Sequence, residues 1–246
     1  MSADKRFAIL IDADNVSEKY IKLILDEISA DGIATYKRIY GDWTRPAMNS
    51  WKNVLLDYSI TPIQQYGYTT GKNATDSAMI IDAMDILYSG NVEGFCIVSS
   101  DSDFTRLAVR LRESGMYVVG MGEKKTPNPF IAACNKFKYL EVLNQAVNAP
   151  KEVEKVPPLP VEESPDMTGI ATVKKAIEAI LDEYDEDEWV FIGDIGSRLQ
   201  KRFPDFDTRN YGYKKLTPFV KSLGIAEVRS TPTSDGNNRL IFVRAK

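Results

Sequence analysis

Aspartate residues follow two separate apolar segments of the sequence, at the points where those segments end. Asp12 and Asp14 come directly after the run FAILI, and Asp101 and Asp103 come directly after the run FCIVSS. Asp76 follows a glycine-containing segment, TTGKNAT, and begins a helix-like stretch. Converging carboxylates repel one another unless a cation or a proton lies between them. Oxygen ligands of this kind favour Mg²⁺ or Mn²⁺, which suit phosphoryl chemistry.

Each of these aspartates has a second interpretation as a helix N-cap. A carboxylate that follows a strand commonly accepts hydrogen bonds from the first turn of the next helix, and Asp103 precedes the helix-like stretch that starts at Phe104. Capping accounts less easily for two strand-end pairs together with Asp76. The sequence therefore favours a cation site over a set of unrelated caps.

The residue types that the chain lacks exclude several kinds of site. It has 246 residues, no histidine and only two cysteines, Cys96 and Cys134, which lie far apart. Without histidine there is no Ser-His-Asp triad, no Cys-His pair and no imidazole base. Two separated cysteines exclude a structural zinc site and a disulfide framework, and we interpret both as small core residues. Acid–base or metal chemistry must come mainly from the 35 aspartates and glutamates.

Strand-like apolar runs alternate with segments of helical periodicity through the first 143 residues. The apolar runs predict strands at 7–11, 34–40, 60–66, 95–99 and 117–121. The periodic segments predict helices at 18–29, 47–58, 76–88, 104–114 and 129–137. Such alternation indicates a three-layer α/β/α fold with a mainly parallel sheet. Proteins of this fold class bind their ligands beyond the carboxyl ends of the strands, where Asp12 and Asp101 are expected. Asp82 and Asp85 are interpreted as solvent-facing.

A proline-rich segment divides the chain. Residues 144–168 contain five of the 12 prolines and no aromatic residue, which predicts an extended linker between domains at 1–143 and 169–246. After this segment, helices are predicted at 170–184, 190–202 and 213–223. Strands are predicted at 225–229 and 239–243. These elements predict a small winged-helix-like domain.

Charge and hydropathy bear on partners and compartment. The net charge is −4, yet the segment from Arg198 onward has 11 basic and four acidic residues, which indicates a local basic surface. The longest apolar runs are strand-length, far below the roughly 20 residues of a membrane helix. Asp12 and Asp14 interrupt the apolar region that a signal peptide needs. We therefore predict a cytoplasmic globular protein with no membrane partner.

The combination of LIDADN, TD and VSSDSDF resembles the NYN domain family, relatives of the PIN-domain nucleases, over about residues 6–143. The resemblance implies a metal-dependent ribonuclease whose catalytic residues hold Mg²⁺ or Mn²⁺: Asp12, Asp76, Asp101 and Asp103. Asn15 and Ser99 are implied to lie nearby and, with Lys72, to bind substrate. Many members have Lys-Gly before the helix aspartate and Ser-Gly-Asp after the strand. This chain has Lys72-Asn73-Ala74-Thr75 and Ser99-Ser100-Asp101 instead.

The segment at about residues 169–244 resembles an OST-HTH (LOTUS) domain, through FIGDIGSRLQKRFPDFDTRNYGYKKLTPFVKSL and the closing hairpin. Such modules bind RNA or protein partners. Basic residues with interleaved aromatic residues can neutralise phosphates and stack on bases of single-stranded RNA. The candidate RNA-binding residues are Arg198, Lys201, Arg202, Arg209, Tyr211, Lys214 and Lys215. In the alternative interpretation Tyr213 is a core residue and the lysines are a solvated helix face.

Two other classes of protein fit parts of the pattern. A HAD-type phosphatase also begins with an apolar strand and Asp-X-Asp, but it needs a further acidic motif where YVVGMGEKK offers only Glu123. In a non-catalytic RNA-binding regulator the acidic site would be vestigial or only structural. Cleavage of RNA, hydrolysis of a small phosphomonoester and binding without turnover distinguish the three.

Overall fold

The computed structural model describes residues 4–66, 74–148, 167–185, 187–233 and 239–246. The chain divides into two compact units, Met1–Asn144 and Gln145–Lys246. Residues 149–166, most of the segment predicted as a linker, lie outside the described residues. No helix among the described residues has the length and apolar character to cross a membrane.

The first unit is built on a six-stranded parallel sheet in the order β3-β2-β1-β4-β5-β6. The strands are β1 (Arg6–Asp12), β2 (Ile33–Gly41), β3 (Thr61–Gln64), β4 (Gly94–Val98), β5 (Tyr117–Gly122) and β6 (Lys136–Tyr139). The helices are α1 (Ile21–Ser29), α2 (Asn49–Leu55), α3 (Ala74–Ser89), α4 (Thr105–Glu113), α5 (Asn128–Ala133) and α6 (Leu140–Asn148). The predicted α/β fold with a mainly parallel sheet is confirmed.

The two central strands are apolar because helices cover both faces of the sheet. Every residue of β4 is buried, as is every residue of β1 after Arg6. Phe7, Ile9 and Ile11 share a core cluster with Ile24 of α1 and Trp51 of α2. Continuous burial of this kind is expected for parallel strands. It fixes the strand ends, and hence the residues that follow them, in one rigid frame.

The strand order reverses between β1 and β4, which places a topological switch point at their carboxyl ends. The chain runs from β1 outward to β2 and β3, and then crosses back through α3 to β4 on the other side of β1. Helix α3 packs against β1 and β2 along this crossover. Ligand sites of open α/β sheets occur at this reversal.

The structure corrects the prediction of a helix at 129–137. Helix α5 ends at Ala133, Cys134 is extended, and β6 follows at Lys136–Tyr139. The sequence KFKY hides this strand because its lysines occupy positions that are normally apolar. Lys138 is buried beside Glu27 of α1, and Lys136 pairs with Asp31 at 3.0 Å. Helix α6 then continues to Asn148, into the segment predicted as linker.

The second unit combines helices with a small antiparallel sheet. The helices are α7 (Ile170–Leu181), α8 (Ile192–Arg202) and α9 (Leu216–Ser222), and the strands β7 (Val190–Phe191), β8 (Ala226–Pro232) and β9 (Arg239–Ala245) pair in the order β7-β9-β8. The predicted small winged-helix-like domain is confirmed. Residues 190–191, predicted as the start of a helix, pair with β9 instead. A 3₁₀ turn, Thr208–Tyr211, precedes α9.

Candidate metal centre

Asp12 ends β1 as a fully buried carboxylate. It accepts hydrogen bonds from Asn15 Nδ2 at 2.7 Å, Ser99 Oγ at 2.8 Å and the backbone N–H of Asp14 at 3.0 Å. Burial raises the pKa of Asp12, and these hydrogen bonds oppose the rise by favouring the charged form. Asn15 and Ser99, predicted as substrate-binding residues, therefore both contact the Asp12 carboxylate and hold it in place.

Asp101 and Asp103 follow β4, where a short 3₁₀ helix, Ser102–Phe104, turns the chain. The Asp101 carboxylate caps this helix by accepting a hydrogen bond from the backbone N–H of Asp103 at 2.9 Å. The N–H of Asp101 itself donates to Ser99 Oγ at 3.0 Å. Asp101 thus has the capping role that its sequence position allows.

Asp76 lies in the first turn of α3 and meets the aspartates that follow β4. Asp76, Asp101 and Asp103 each offer a carboxylate oxygen, and these three oxygens all lie within 4.8 Å of one another. Asp76 is only 9% exposed. Its pKa is raised to about 6, first by burial and then by the negative charges of Asp12, Asp101, Asp103 and Asp14. Such a cluster attracts a cation, since a cation relieves the repulsion that raises the pKa.

The donor set fits a hard divalent ion. All three candidate ligand atoms are carboxylate oxygens, which Mg²⁺ and Mn²⁺ prefer over the nitrogen and sulfur ligands typical of zinc. Asp12 does not belong to the group of three, but its charge is one cause of the raised pKa of Asp76. The four aspartates predicted from the sequence therefore occupy one site, three as the cluster and Asp12 beside it. Lys72 lies outside the described residues.

Two interactions near this site were not anticipated from the sequence. Asp82, expected to face solvent, accepts hydrogen bonds from Arg38 and from the buried Tyr40 hydroxyl, and it thereby ties α3 to β2. Beyond β2, Arg45 lies near two carboxylates, 3.7 Å from Asp14 and 3.6 Å from Asp42. Asp82 is six residues from Asp76, and only the packing of α3 on β2 brings it to Arg38. Helical periodicity alone carries no signal for that pair.

The basic residues predicted to bind RNA in the second unit divide into two groups. Arg198 donates to both carboxylate oxygens of Glu183 at 2.6 Å, and Arg209 is paired with Asp207 at 2.7 Å. The remaining four are exposed: Lys201, Arg202, Lys214 and Lys215. Among the described residues, the three lysines have no ion-pair partner. These four side chains are the accessible part of the predicted surface.

Tyr211 is a core residue, which corrects its prediction as a base-stacking side chain. It is 6% exposed, its ring stacks on Phe219 with centroids 5.0 Å apart, and its hydroxyl donates to the Thr168 carbonyl at 2.8 Å. A ring enclosed in this way has no free face for a base. Tyr213 is half-buried against the same phenylalanine. The exposed basic residues therefore lie at the end of α8 and just before α9, whereas Tyr211 belongs to the core.

Comparisons with known proteins agree with both resemblances. Residues 6–141 match the NYN domain, and residues 170–237 match the OST-HTH/LOTUS domain. A solved protein of unknown function from Vibrio parahaemolyticus is 18% identical, with a TM-score of 0.47. The match covers 56% of this chain and 93% of that protein's chain. An uncharacterized protein from Nitrosomonas europaea, solved by NMR, is 28% identical, with a TM-score of 0.27, and covers 39% of this chain and 91% of its own.

No curated protein matches the chain. The NYN domain implies a PIN-like nuclease, and the OST-HTH domain is RNA-binding. The sheet order, the acidic cluster at the switch point and the match over residues 6–141 agree with one another. The chain belongs to the NYN domain family.

Proposed function

We propose that the protein is a ribonuclease that uses Mg²⁺ or Mn²⁺ to hydrolyse phosphodiester bonds of RNA. The observation that carries this proposal is the convergence of Asp76, Asp101 and Asp103 at the switch point of the sheet. Such a cluster of carboxylates costs electrostatic energy that a bound divalent ion would offset. The NYN match supports nuclease chemistry at this position.

The roles of the residues follow from their environments. Asp76, Asp101 and Asp103 would hold the ion through one carboxylate oxygen each. Asp12 adds negative charge from a buried position, and Asn15 and Ser99 keep its carboxylate fixed through hydrogen bonds. A bound divalent ion would supply Lewis-acid activation of the phosphate and lower the pKa of an attacking water. We retain Lys72 as a proposed phosphate contact.

The second unit would deliver single-stranded RNA to this site. Lys201, Arg202, Lys214 and Lys215 present exposed cations that can neutralise phosphates. Joining an RNA-binding unit to a cleaving unit raises the effective concentration of substrate at the cleaving site. The match to the OST-HTH domain supports RNA as the partner.

Cleavage of RNA in the presence and absence of metal tests the proposal. We expect the purified protein to cleave single-stranded RNA with Mn²⁺ or Mg²⁺ and to stop when a chelator is added. Asp101→Asn keeps the size of the side chain but removes the charge that holds the ion, so we expect the rate to fall by orders of magnitude. Asp85→Asn, an exposed change on α3, is the matched control and should cleave normally.

Three results separate this function from the others. Cleavage that persists in chelator, or in a folded Asp101→Asn protein, would contradict the proposed site. RNA binding without turnover by the wild-type protein would support a non-catalytic regulator. Hydrolysis of a small phosphomonoester with no action on RNA would support a phosphatase.

A further inference from the structure

The turn that follows β2 lies beside the candidate metal centre. Strand β2 is the neighbour of β1, and their register pairs Tyr40 with Asp12. The backbone N–H of Ala13 donates to the Tyr40 carbonyl at 3.0 Å, so the two segments remain side by side just beyond Asp12. Residues 42–45 therefore emerge at the same edge of the sheet as Asp12 and Asp14.

This turn is held rigidly by side-chain hydrogen bonds. Asp42 accepts from the Thr44 hydroxyl at 2.6 Å and from Gln64 Nε2 at 3.0 Å. The other amide atom of Gln64, Oε1, accepts from the backbone N–H of Trp43 at 2.9 Å. The indole N–H of Trp43 donates to the Ile63 carbonyl at 3.0 Å. Asp42 and Trp43 are thus tied to β3, and Thr44 is tied back to Asp42, which fixes the backbone from which Arg45 extends.

Arg45 extends from this base towards the acidic residues without bonding to them closely. Its Nη1 lies 3.7 Å from Asp14 Oδ1 and its Nε lies 3.6 Å from Asp42 Oδ2, and the side chain is 55% exposed. Both distances exceed those of ordinary N–H···O hydrogen bonds. No residue that the structure describes hydrogen-bonds to this guanidinium. The charge of Arg45 therefore lies close to these carboxylates, while its N–H groups remain available to a ligand.

An acidic centre that cleaves RNA must overcome its repulsion of the phosphate backbone. The charge of Asp14 contributes to the raised pKa of Asp76. Asp14, the residue that Arg45 faces, is therefore part of the electrostatic environment of the cluster. An arginine suits this border because its planar fork can bond a phosphate bidentately. The neighbouring carboxylates lie 3.7 and 3.6 Å from the guanidinium, beyond ordinary hydrogen-bond distance.

We propose that Arg45 binds a phosphate of the RNA strand next to the metal centre and so positions the strand for cleavage. This role rests on the proposed function, since it requires an RNA substrate at the acidic cluster. Arg45 would act as a substrate-binding residue on the β2 side of the site. It would oppose metal binding slightly, because it places a positive charge near the same carboxylates.

The test compares Arg45→Ala, Arg45→Lys and a control, Arg110→Ala, in the full-length protein. Arg110 is also half-exposed, at 50%, and lies in the last turn of α4 with only a 3.9 Å contact to Glu113. Each protein is titrated with Mn²⁺ by calorimetry in the absence of RNA, and KM and kcat for RNA cleavage are measured at several salt concentrations. Circular dichroism verifies folding.

The proposal predicts that Arg45→Ala binds Mn²⁺ more tightly and RNA more weakly than the wild type. Arg45→Ala should bind Mn²⁺ about two- to fivefold more tightly, because a nearby positive charge is removed. It should raise KM for RNA about 10- to 100-fold with little change in kcat, as expected when a charged hydrogen bond that is present before and during reaction is removed. The dependence of log(kcat/KM) on log salt should become shallower by about 0.7. Arg45→Lys should keep the salt dependence and recover part of the affinity, and Arg110→Ala should match the wild type.

Two results would overturn the proposal. Weaker Mn²⁺ binding by Arg45→Ala would show that Arg45 only holds the carboxylates in position. A KM and salt dependence equal to those of the wild type would show that no phosphate is bound there. If the wild-type protein binds Mn²⁺ but does not act on RNA, the proposed function fails, and this role for Arg45 fails with it. If it cleaves RNA and Arg45→Ala cleaves it identically, only the role of Arg45 fails.

Discussion

At the scale of single residues, the most informative side chain is Asp76, whose carboxylate combines burial with four neighbouring negative charges. The positions of the aspartates at strand ends were predictable because parallel strands present their carboxyl ends at one edge. The role of Asp101 as both helix cap and cluster member shows that the two interpretations of its position are compatible. Tyr211 was not predictable, because the same spacing serves a surface ring or a core ring, and only tertiary packing on Phe219 decides between them.

The raised pKa of Asp76 predicts how stability depends on pH in the absence of metal. The folded pKa, about 6, exceeds the ordinary value of 3.8, so folding favours the protonated acid. The resulting stabilisation is present below pH 3.8 and is lost as the pH rises through about 6. In chelator, Asp76→Asn should therefore be more stable than the wild type by about 3 kcal/mol at neutral pH and nearly equal to it at about pH 3.5.

Urea unfolding of both proteins at the two pH values measures this difference. Asp85→Asn on the same helix is exposed and should show no comparable dependence. A difference between wild type and Asp76→Asn that stays constant with pH would contradict the electrostatic account of the cluster.

At the scale of elements, the position of α3 relative to β2 decides where Asp76 lies. The Asp82 carboxylate joins the two elements through Arg38 and Tyr40. Helix α3 was predictable from its apolar periodicity, but the contact of Asp82 with β2 was not. A charged residue in a helix is interpreted as solvent-facing unless its partner on another element is known. Strand β6 was missed for a similar reason, because Lys138 is buried only by virtue of Glu27 on α1.

Removal of one hydroxyl tests this anchor. Tyr40→Phe deletes the buried donor to Asp82, so we expect a loss of about 1–3 kcal/mol in the free energy of unfolding and weaker Mn²⁺ binding because α3 is less firmly placed. Tyr88→Phe is the matched control: it makes the same chemical change on α3, where the ring is 73% exposed. Urea unfolding and Mn²⁺ titration compare them, and equal stability of the two variants would argue against the anchor.

At the scale of the whole molecule, the chain pairs an acidic unit with a unit that carries exposed cations. The division into two domains was visible in the sequence as a change from alternating strands and helices to a proline-rich segment. Helix α6 runs past the predicted boundary at residue 143 as far as Asn148, although the α6 residues in the core cluster are Leu140 and Leu143. We therefore base fragments on 1–148 and 167–246.

The two fragments should divide the activity between them. Residues 1–148 should cleave RNA with metal but bind it more weakly than the full chain, and residues 167–246 should bind RNA without cleaving it. A mixture of the two should not restore full-length efficiency, since the gain comes from covalent linkage. RNA affinity measured by fluorescence anisotropy tests this division, and equal affinity with and without residues 167–246 would redirect the second unit to a protein partner.

Salt dependence identifies the cations that meet RNA in the second unit. Lys214→Ala combined with Lys215→Ala should make the slope of log K against log salt shallower by about 1.4, or about 0.7 for each phosphate that a lysine no longer neutralises. Arg198→Ala should change the slope less, because Arg198 is already paired with Glu183. An unchanged slope in the double variant would show that these two lysines, which precede α9, are only solvent-exposed.

In the proposed function, a divalent ion held by Asp76, Asp101 and Asp103 acts directly on the RNA phosphate. Replacement of a non-bridging oxygen of the scissile phosphate by sulfur tests it most directly, because Mg²⁺ coordinates sulfur poorly and Mn²⁺ accepts it more readily. We expect one sulfur-substituted isomer to be cleaved slowly with Mg²⁺, Mn²⁺ to restore its cleavage, and Asp101→Asn to abolish cleavage with either metal. Cleavage of both isomers at the rate of unmodified RNA with either metal, or cleavage in chelator, would contradict it.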